Sequence, residues 1–169
     1  MKKKILIIGP SGSGKTYISA ELRKGGINAI DADLVLDLSS WFDNDGKEVE
    51  YPEDADKEFL NNHEFLWNKE FLKDYLRKQD EIYLFGLSGN VFNVTDLFDK
   101  VYFLKVERQV LTENLRHESR ENPMGRTDYQ LENALKYAEE IEQKARELGI
   151  EIIDATGKSP DEIFKEIKQ

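Results

Sequence analysis

Lys15 and Thr16 close the octapeptide Gly9-Pro10-Ser11-Gly12-Ser13-Gly14-Lys15-Thr16, in which six of eight residues are Gly, Ser or Thr. The run fits the pattern G-x-x-x-x-G-K-[ST] in full. Its chemistry is that of a polyphosphate cradle. The glycines let the backbone curl until successive N–H groups converge on one anion. A helix starting directly after the loop brings its positive end to the same place. Lys15 reaches the terminal phosphates, and the Thr16 hydroxyl is a hard-oxygen ligand for Mg²⁺. Ser11 and Ser13 add little bulk, so the backbone itself is the ligand. The pattern names a nucleoside triphosphate and leaves the reaction open.

Three further groups could act on such a ligand. Asp31 and Asp33 flank Ala32 in IDAD. Two carboxylates beside a triphosphate can divide the work: one holds Mg²⁺ directly or through water, and the other orients or deprotonates an attacking hydroxyl. Asp33 could also cap a helix over LVLDL. Gly86-Leu87-Ser88-Gly89-Asn90 follows an apolar strand; its glycines allow close backbone approach, and Ser88 and Asn90 offer polar contacts to an acceptor, or the segment is a plain turn. Arg116, His117, Arg120 and Arg126 fall within eleven residues of an otherwise acidic chain. Arginines next to a phosphate site offset the charge that builds on a transferred group, and a loop carrying them can expel water. At the other end of the chain, Ala155-Thr156-Gly157 follows IEIID and could present backbone groups to a purine edge.

These groups need strand ends to hold them. KKILII (3–8) reads as a buried strand, Lys15 to Arg23 as a helix stopped by Gly25 and Gly26, and 27–31 as a second strand. A short helix is expected over 33–40, a loop over 41–54 from Asn44, Gly46 and Pro52, and a continuous helix from Ala55 to Lys78 from its apolar stripe. Strands at 81–85, 101–105 and 150–154 and helices at 107–117, 128–148 and 160–168 complete the pattern. Alternation of strands with helices predicts an α/β fold with a parallel sheet covered on both faces. In such a sheet, the residues leaving the strand ends next to the phosphate loop face the ligand crevice.

The whole chain, 169 residues with a formal net charge of −10, fits one domain, 1–169. The absence of cysteine excludes disulfides and thiolate metal sites. No apolar run approaches the roughly 18 residues of a membrane helix, and the apolar start is too short for a signal peptide, so a cytoplasmic protein is expected. The negative balance argues against a nucleic-acid partner. Residues 43–58 hold eight carboxylates against two lysines and read as a solvated loop. Asn68-Lys69-Glu70-Phe71 lacks the Asp of a guanine-reading N-K-x-D segment. The third strand ends YLFG without a carboxylate, which favours transfer to an acceptor over hydrolysis.

Taken in order, GPSGSGKT, IDAD, FGLSGN, RHESRENPMGR and IDATG resemble the small P-loop kinases, the group of adenylate, shikimate, gluconate and dephospho-CoA kinases. The resemblance implies a three-layer P-loop NTPase fold with five parallel strands in the order 2-3-1-4-5. It implies an arginine-rich lid over about 117–127 and an acceptor-side insertion over about 41–80. It assigns Lys15 and Thr16 to phosphate and Mg²⁺, Asp31 and Asp33 to the acceptor side, Arg116 and Arg120 to the lid, and Ala155 to Lys158 to adenine. The expected function is transfer of the γ-phosphoryl group of Mg-ATP to a small-molecule acceptor. Lys15, Asp33, Arg116 and Arg120 would be the catalytic groups, Thr16 and Asp33 would hold Mg²⁺, and Gly86, Ser88, Asn90 and Arg126 would sit near the acceptor. A nucleotide-binding regulatory module without an acceptor is the alternative reading. Oligomeric state is not legible.

Overall fold

The computed structural model describes residues 2–117 and 127–168. Its main sheet has five strands: β1 (Lys3–Ile8), β2 (Ala29–Asp31), β6 (Glu81–Gly86), β7 (Lys100–Lys105) and β8 (Glu151–Asp154). They run β2-β6-β1-β7-β8 and every pairing is parallel. Numbered among themselves, this is the expected order 2-3-1-4-5. The strands are apolar at their centres because both faces are covered there, with charged residues kept to the strand ends. Ile5, Ile7, Tyr83, Phe85 and Leu104 pack into one cluster with α1 (Lys15–Lys24) and α6 (Pro160–Lys168). Leu6, Ile8, Ile82 and Leu84 pack into the other with α3 (Lys69–Arg77). The long α5 (Asp128–Glu147) supplies Leu131, Leu135 and Ala138 to the first cluster, together with α4 (Arg108–Arg116). Further along, α5 supplies Ile141 and Ala145 to the second.

Residues 33–78 depart from expectation. The helix predicted over 33–40 is a single 3-10 turn, Ala32–Leu34, followed by strand β3 (Ser39–Asp43). The predicted loop is a hairpin between β3 and β4 (Glu48–Val49). Asp43 drives the turn: its Oδ1 accepts from the backbone N–H groups of Asp45 (2.9 Å) and Lys47 (2.8 Å). Gly46 takes the left-handed conformation that the turn requires, with φ 78°. The predicted continuous helix is split into α2 (Lys57–Asn62), strand β5 (His63–Trp67) and α3. Two polar side chains break it. Asp56 caps α2 at Phe59 N, and Asn68 caps α3 at Phe71 N. Strands β4-β3-β5 form a second, antiparallel sheet. Trp41, Tyr51, Phe59 and Phe65 form an aromatic cluster on it, with centroids 4.9–5.6 Å apart. His63 stacks on Phe59 and places Nδ1 2.8 Å from its carbonyl.

Candidate functional site

The phosphate loop joins β1 to α1 as the motif predicts. Gly12 and Gly14 have φ of 84° and 89°, a region that residues with a Cβ seldom occupy. Gly12 is also pressed against α4, because a Cβ there would lie 3.1 Å from Leu115 Cγ. Gly14 caps α1 with no side chain in the way, and the first turn of the helix carries no acid. The positive end of α1 therefore opens onto the loop. Ser13 is buried, and its N–H donates to Pro10 O (3.1 Å). Lys15 folds over the loop and donates to the carbonyls of Gly9 (2.7 Å) and Pro10 (2.8 Å).

The two aspartates take different places. Asp31, at the end of β2, is buried and accepts from the Thr16 hydroxyl at 2.6 Å. Its other oxygen accepts from Asp33 N (3.0 Å). The cap of this turn is thus Asp31, where the sequence suggested Asp33. Asp33 is an exposed residue, though its carboxyl lies against the protein. Protein crowding around its carboxyl, followed by the Asp31 charge, raises its pKa, while Lys15 pulls the other way. Thr16 and Asp31 give adjacent hard oxygens beside the phosphate loop. That donor chemistry suits Mg²⁺, which takes one or two protein ligands and completes its shell with phosphates and water. The described residues contain no cluster of three metal-ligating carboxylates or histidines.

Gly86, Ser88 and Asn90 lie where expected, at the end of β6 next to β2, but their visible partners are within the protein. A Cβ on Gly86 would lie 2.6 Å from both Ala32 Cβ and Trp67 Cζ2. Ser88 is buried and donates to Asn90 Oδ1 (2.9 Å). Asn90 grips Trp67 on both sides: Oδ1 accepts from its N–H (2.9 Å) and Nδ2 donates to its carbonyl (2.9 Å). Gly89 N donates to Phe65 O (2.7 Å). The segment after β6 is thereby stitched to β5, which brings the second sheet against Gly86 and Ala32.

On the opposite side, the turn after β8 is tied to the turn after β7. Thr156 Oγ1 accepts from Glu107 N (3.0 Å), and Ala155 N donates to Lys105 O (2.8 Å). Asp154 caps Thr156 N (3.0 Å), and hydrogen bonds from Thr156 hold the Asp154 carboxyl below its ordinary range. Gly157 has φ 69°, as a tight turn requires. Arg116, the last residue of α4, pairs with Asp128, the first of α5, so the two ends of the segment between them are joined. Both partners are exposed, so the pair is weak. Arg120 and Arg126, with most of the expected lid, lie outside the described residues.

Two contributors escaped the sequence reading. Asn114 on α4 donates to Gly12 O (2.8 Å), a contact across 102 positions for which the sequence carries no signal. Trp67, in the apolar stripe of the sequence, was not legible as a neighbour of Gly86 and Ala32. A cavity of about 320 Å³ also opens beside Pro10. Phe103, Leu111 and Leu135 line it, Arg108 pairs with Glu139 (2.6 Å), and Lys105 pairs with Glu142 (3.3 Å). Lys15, Thr16, Asp31 and Asp33 are not among its lining residues, so the phosphate chemistry is not sited there.

Residues 5–154 match a family described as AAA domain. No curated protein matches the sequence. A gluconokinase from Sinorhizobium meliloti 1021 superposes with a TM-score of 0.52 at 16% identity, covering 97% of this chain and 88% of that one. A deoxyadenosine kinase from M. mycoides with bound dATP superposes with a TM-score of 0.50 at 15% identity, covering 98% and 97%. The main sheet and its helices are those of the small P-loop kinase fold. No helix among the described residues is long and apolar enough to cross a membrane.

Proposed function

The chain belongs to the AAA domain family, and from that premise we propose that it moves the γ-phosphoryl group of Mg-ATP to a small-molecule acceptor, a nucleoside, nucleotide or related metabolite. The observation that carries the reading is the Asp31–Thr16 hydrogen bond (2.6 Å) beside the phosphate loop, which sets Asp33 two residues further on and within the field of Lys15. A carboxylate so placed can accept the proton of an attacking hydroxyl. The two structural neighbours, a gluconokinase and a deoxyadenosine kinase, support the same reading.

In this reading, residues 9–16 hold the triphosphate, and Lys15 leaves the Gly9 and Pro10 carbonyls to follow the γ-phosphate. Thr16 and Asp31 hold Mg²⁺, which offsets phosphate charge when bound. Asp33 accepts the proton of the acceptor hydroxyl as its oxygen bonds to the γ-phosphorus. The bond from that phosphorus to the bridging oxygen breaks, and ADP leaves. Arg116 exchanges Asp128 for the transferring group; Arg120 would share that role, and Arg126 would serve the acceptor. Ala155, Thr156 and Gly157 border the base. Ser88 and Asn90 act through β5, by holding Trp67.

The test is ATP consumption with Mg²⁺ against pools of nucleosides, nucleoside monophosphates, sugar acids and polyols, with a no-acceptor blank and the Asp33→Asn protein. Stimulation by one pool, abolished in Asp33→Asn, is the expected result. Nucleotide binding with no stimulation by any pool would refute the transfer and leave a regulatory nucleotide-binding module.

A further inference from the structure

Trp67 is 2% exposed, and its indole Nε1 is the buried side-chain polar atom among the described residues that has no hydrogen-bond partner. Native structures rarely seal a donor in this way without a use for it. The ring is held firmly: Asn90 fixes the Trp67 backbone at both N and O, and Ser88 fixes the Asn90 amide. Cζ2 lies against Gly86, which Ala32 also touches. Nε1 and Cζ2 are bonded to the same ring carbon, so the N–H belongs to the edge of the indole nearest Gly86 and Ala32. Ala32 is the residue between Asp31 and Asp33. The other buried polar side chains at this edge, Asp31 and Ser88, both have partners.

The chemistry of the missing partner follows from the donor. An indole N–H only donates, so it needs an oxygen lone pair. The chain that builds this side of the site disfavours an anion, the nearby Lys15 being held at the phosphate loop. Residues 28–68 hold twelve carboxylates, two lysines and no arginine. Lys47 lies in the β3–β4 turn, and Lys57 sits over the Tyr129 ring at 5.4 Å. We infer that Trp67 walls the acceptor subsite and that its N–H donates to an oxygen of an uncharged, hydroxyl-rich acceptor: a polyol, a sugar or a nucleoside. The inference rests on the phosphotransfer reading and narrows its acceptor class.

The segment 32–38 covers the indole. Ala32, Val35 and Leu38 pack in the same cluster as Trp67. Leu34 and Leu36, by contrast, are 60% and 84% exposed, and Asp37 is left-handed at φ 65°. In the proposal the exposed stretch 34–37 gives way to the acceptor, so that the N–H meets the ligand oxygen while Asp33 stays at the transferring group.

The experiment compares an uncharged acceptor pool (nucleosides, hexoses, polyols) with an anionic one (sugar acids, nucleoside monophosphates) in wild type and Trp67→Phe. The chain has two tryptophans, so a ¹⁵N-indole spectrum gives two N–H signals, and Trp41→Phe assigns them. The uncharged pool is expected to be phosphorylated. Trp67→Phe should raise the acceptor KM about five- to tenfold and leave the KM for ATP unchanged. The Trp67 signal should move on addition of acceptor and not with a non-hydrolysable ATP analogue alone. That signal is read on the intact ring, so it decides even if Trp67→Phe fails to fold. Phosphorylation confined to the anionic pool overturns the inference and leaves phosphotransfer standing. So does an uncharged acceptor that leaves the indole signal unmoved. Nucleotide binding without turnover of either pool overturns both.

Discussion

Alanine at Gly86 isolates packing from every other effect. Gly86 is not among the left-handed glycines, so a Cβ adds no backbone strain and space alone decides. The added carbon would stand 2.6 Å from Ala32 Cβ and 2.6 Å from Trp67 Cζ2, about 1 Å inside an ordinary carbon contact. Neither neighbour can give way cheaply. A Cβ moves only with its backbone, and the Trp67 backbone is bonded to Asn90 at both N and O. Overpacking of this kind costs about 1–3 kcal/mol. Restricting the unfolded chain returns about 0.4–1 kcal/mol. The net loss is about 1–2 kcal/mol, or roughly 2–8 °C in Tm for a chain of this length. The displacement falls on Ala32, so acceptor turnover should drop while nucleotide affinity at residues 9–16 holds. Thermal and urea unfolding, a nucleotide titration and a turnover assay with acceptor measure all three. A Tm at or above the parent's would refute the packing argument. An unchanged Tm with lost acceptor turnover would mean that the glycine serves the ligand directly.

Lys15→Ala should lower turnover about a hundredfold or more, the loss typical of a contact made to transition-state charge; steady-state kinetics with full activity retained would remove the phosphate-loop assignment. Asp33 has a raised pKa in the fold, so the native chain binds more protons than the unfolded one between the ordinary Asp value and the raised one, and this group's contribution to stability declines as pH rises through that window. Asp33→Asn should therefore melt higher than the parent at neutral pH, with the gap closing as pH falls below the ordinary carboxylate range, and a gap that widens in acid would contradict the shift. Asn114→Ala should weaken ATP binding about fivefold through the freed Gly12 carbonyl, with an almost unchanged Tm because Asn114 is exposed; equal nucleotide affinity would show that the bond does not tune the loop.

The main sheet was legible because its strands announce themselves. An unbroken apolar run such as ILII admits only burial on both faces, and Gly25-Gly26 and Asn44-Asp45-Gly46 are strong stops. The second sheet was not legible, because its signals compete. Phe59, Phe65 and Phe71 recur at a spacing that a helix tolerates, yet Asp56 and Asn68 sit at positions where a capping side chain wins over helix continuation. Asp43 likewise makes a hairpin out of a stretch that composition reads as loop. Within the site, the phosphate loop was legible from spacing alone. The distinct places of Asp31 and Asp33 were not, since alternation along a strand predicts one shared face and the chain turns after Asp31. Contacts such as Asn114 with Gly12 depend on the packing of α4, which no local pattern encodes.

The stitch between Leu38 and Asn68 has a consequence for the order of assembly. Strands β2 and β6 are neighbours in the sheet but about 50 residues apart along the chain. Asn68 N donates to Leu38 O (2.8 Å), and Ser39 pairs with Trp67. Once the antiparallel hairpins have formed from contacts close in sequence, the effective span between β2 and β6 is about 20 residues. Loop-closure entropy scales with the logarithm of length, so the shortcut lowers the closure cost by about 0.8 kcal/mol. Residues 39–67 thus work as a folded spacer that brings the edge strand to its neighbour, and a flexible linker of equal length in their place should slow refolding about fourfold.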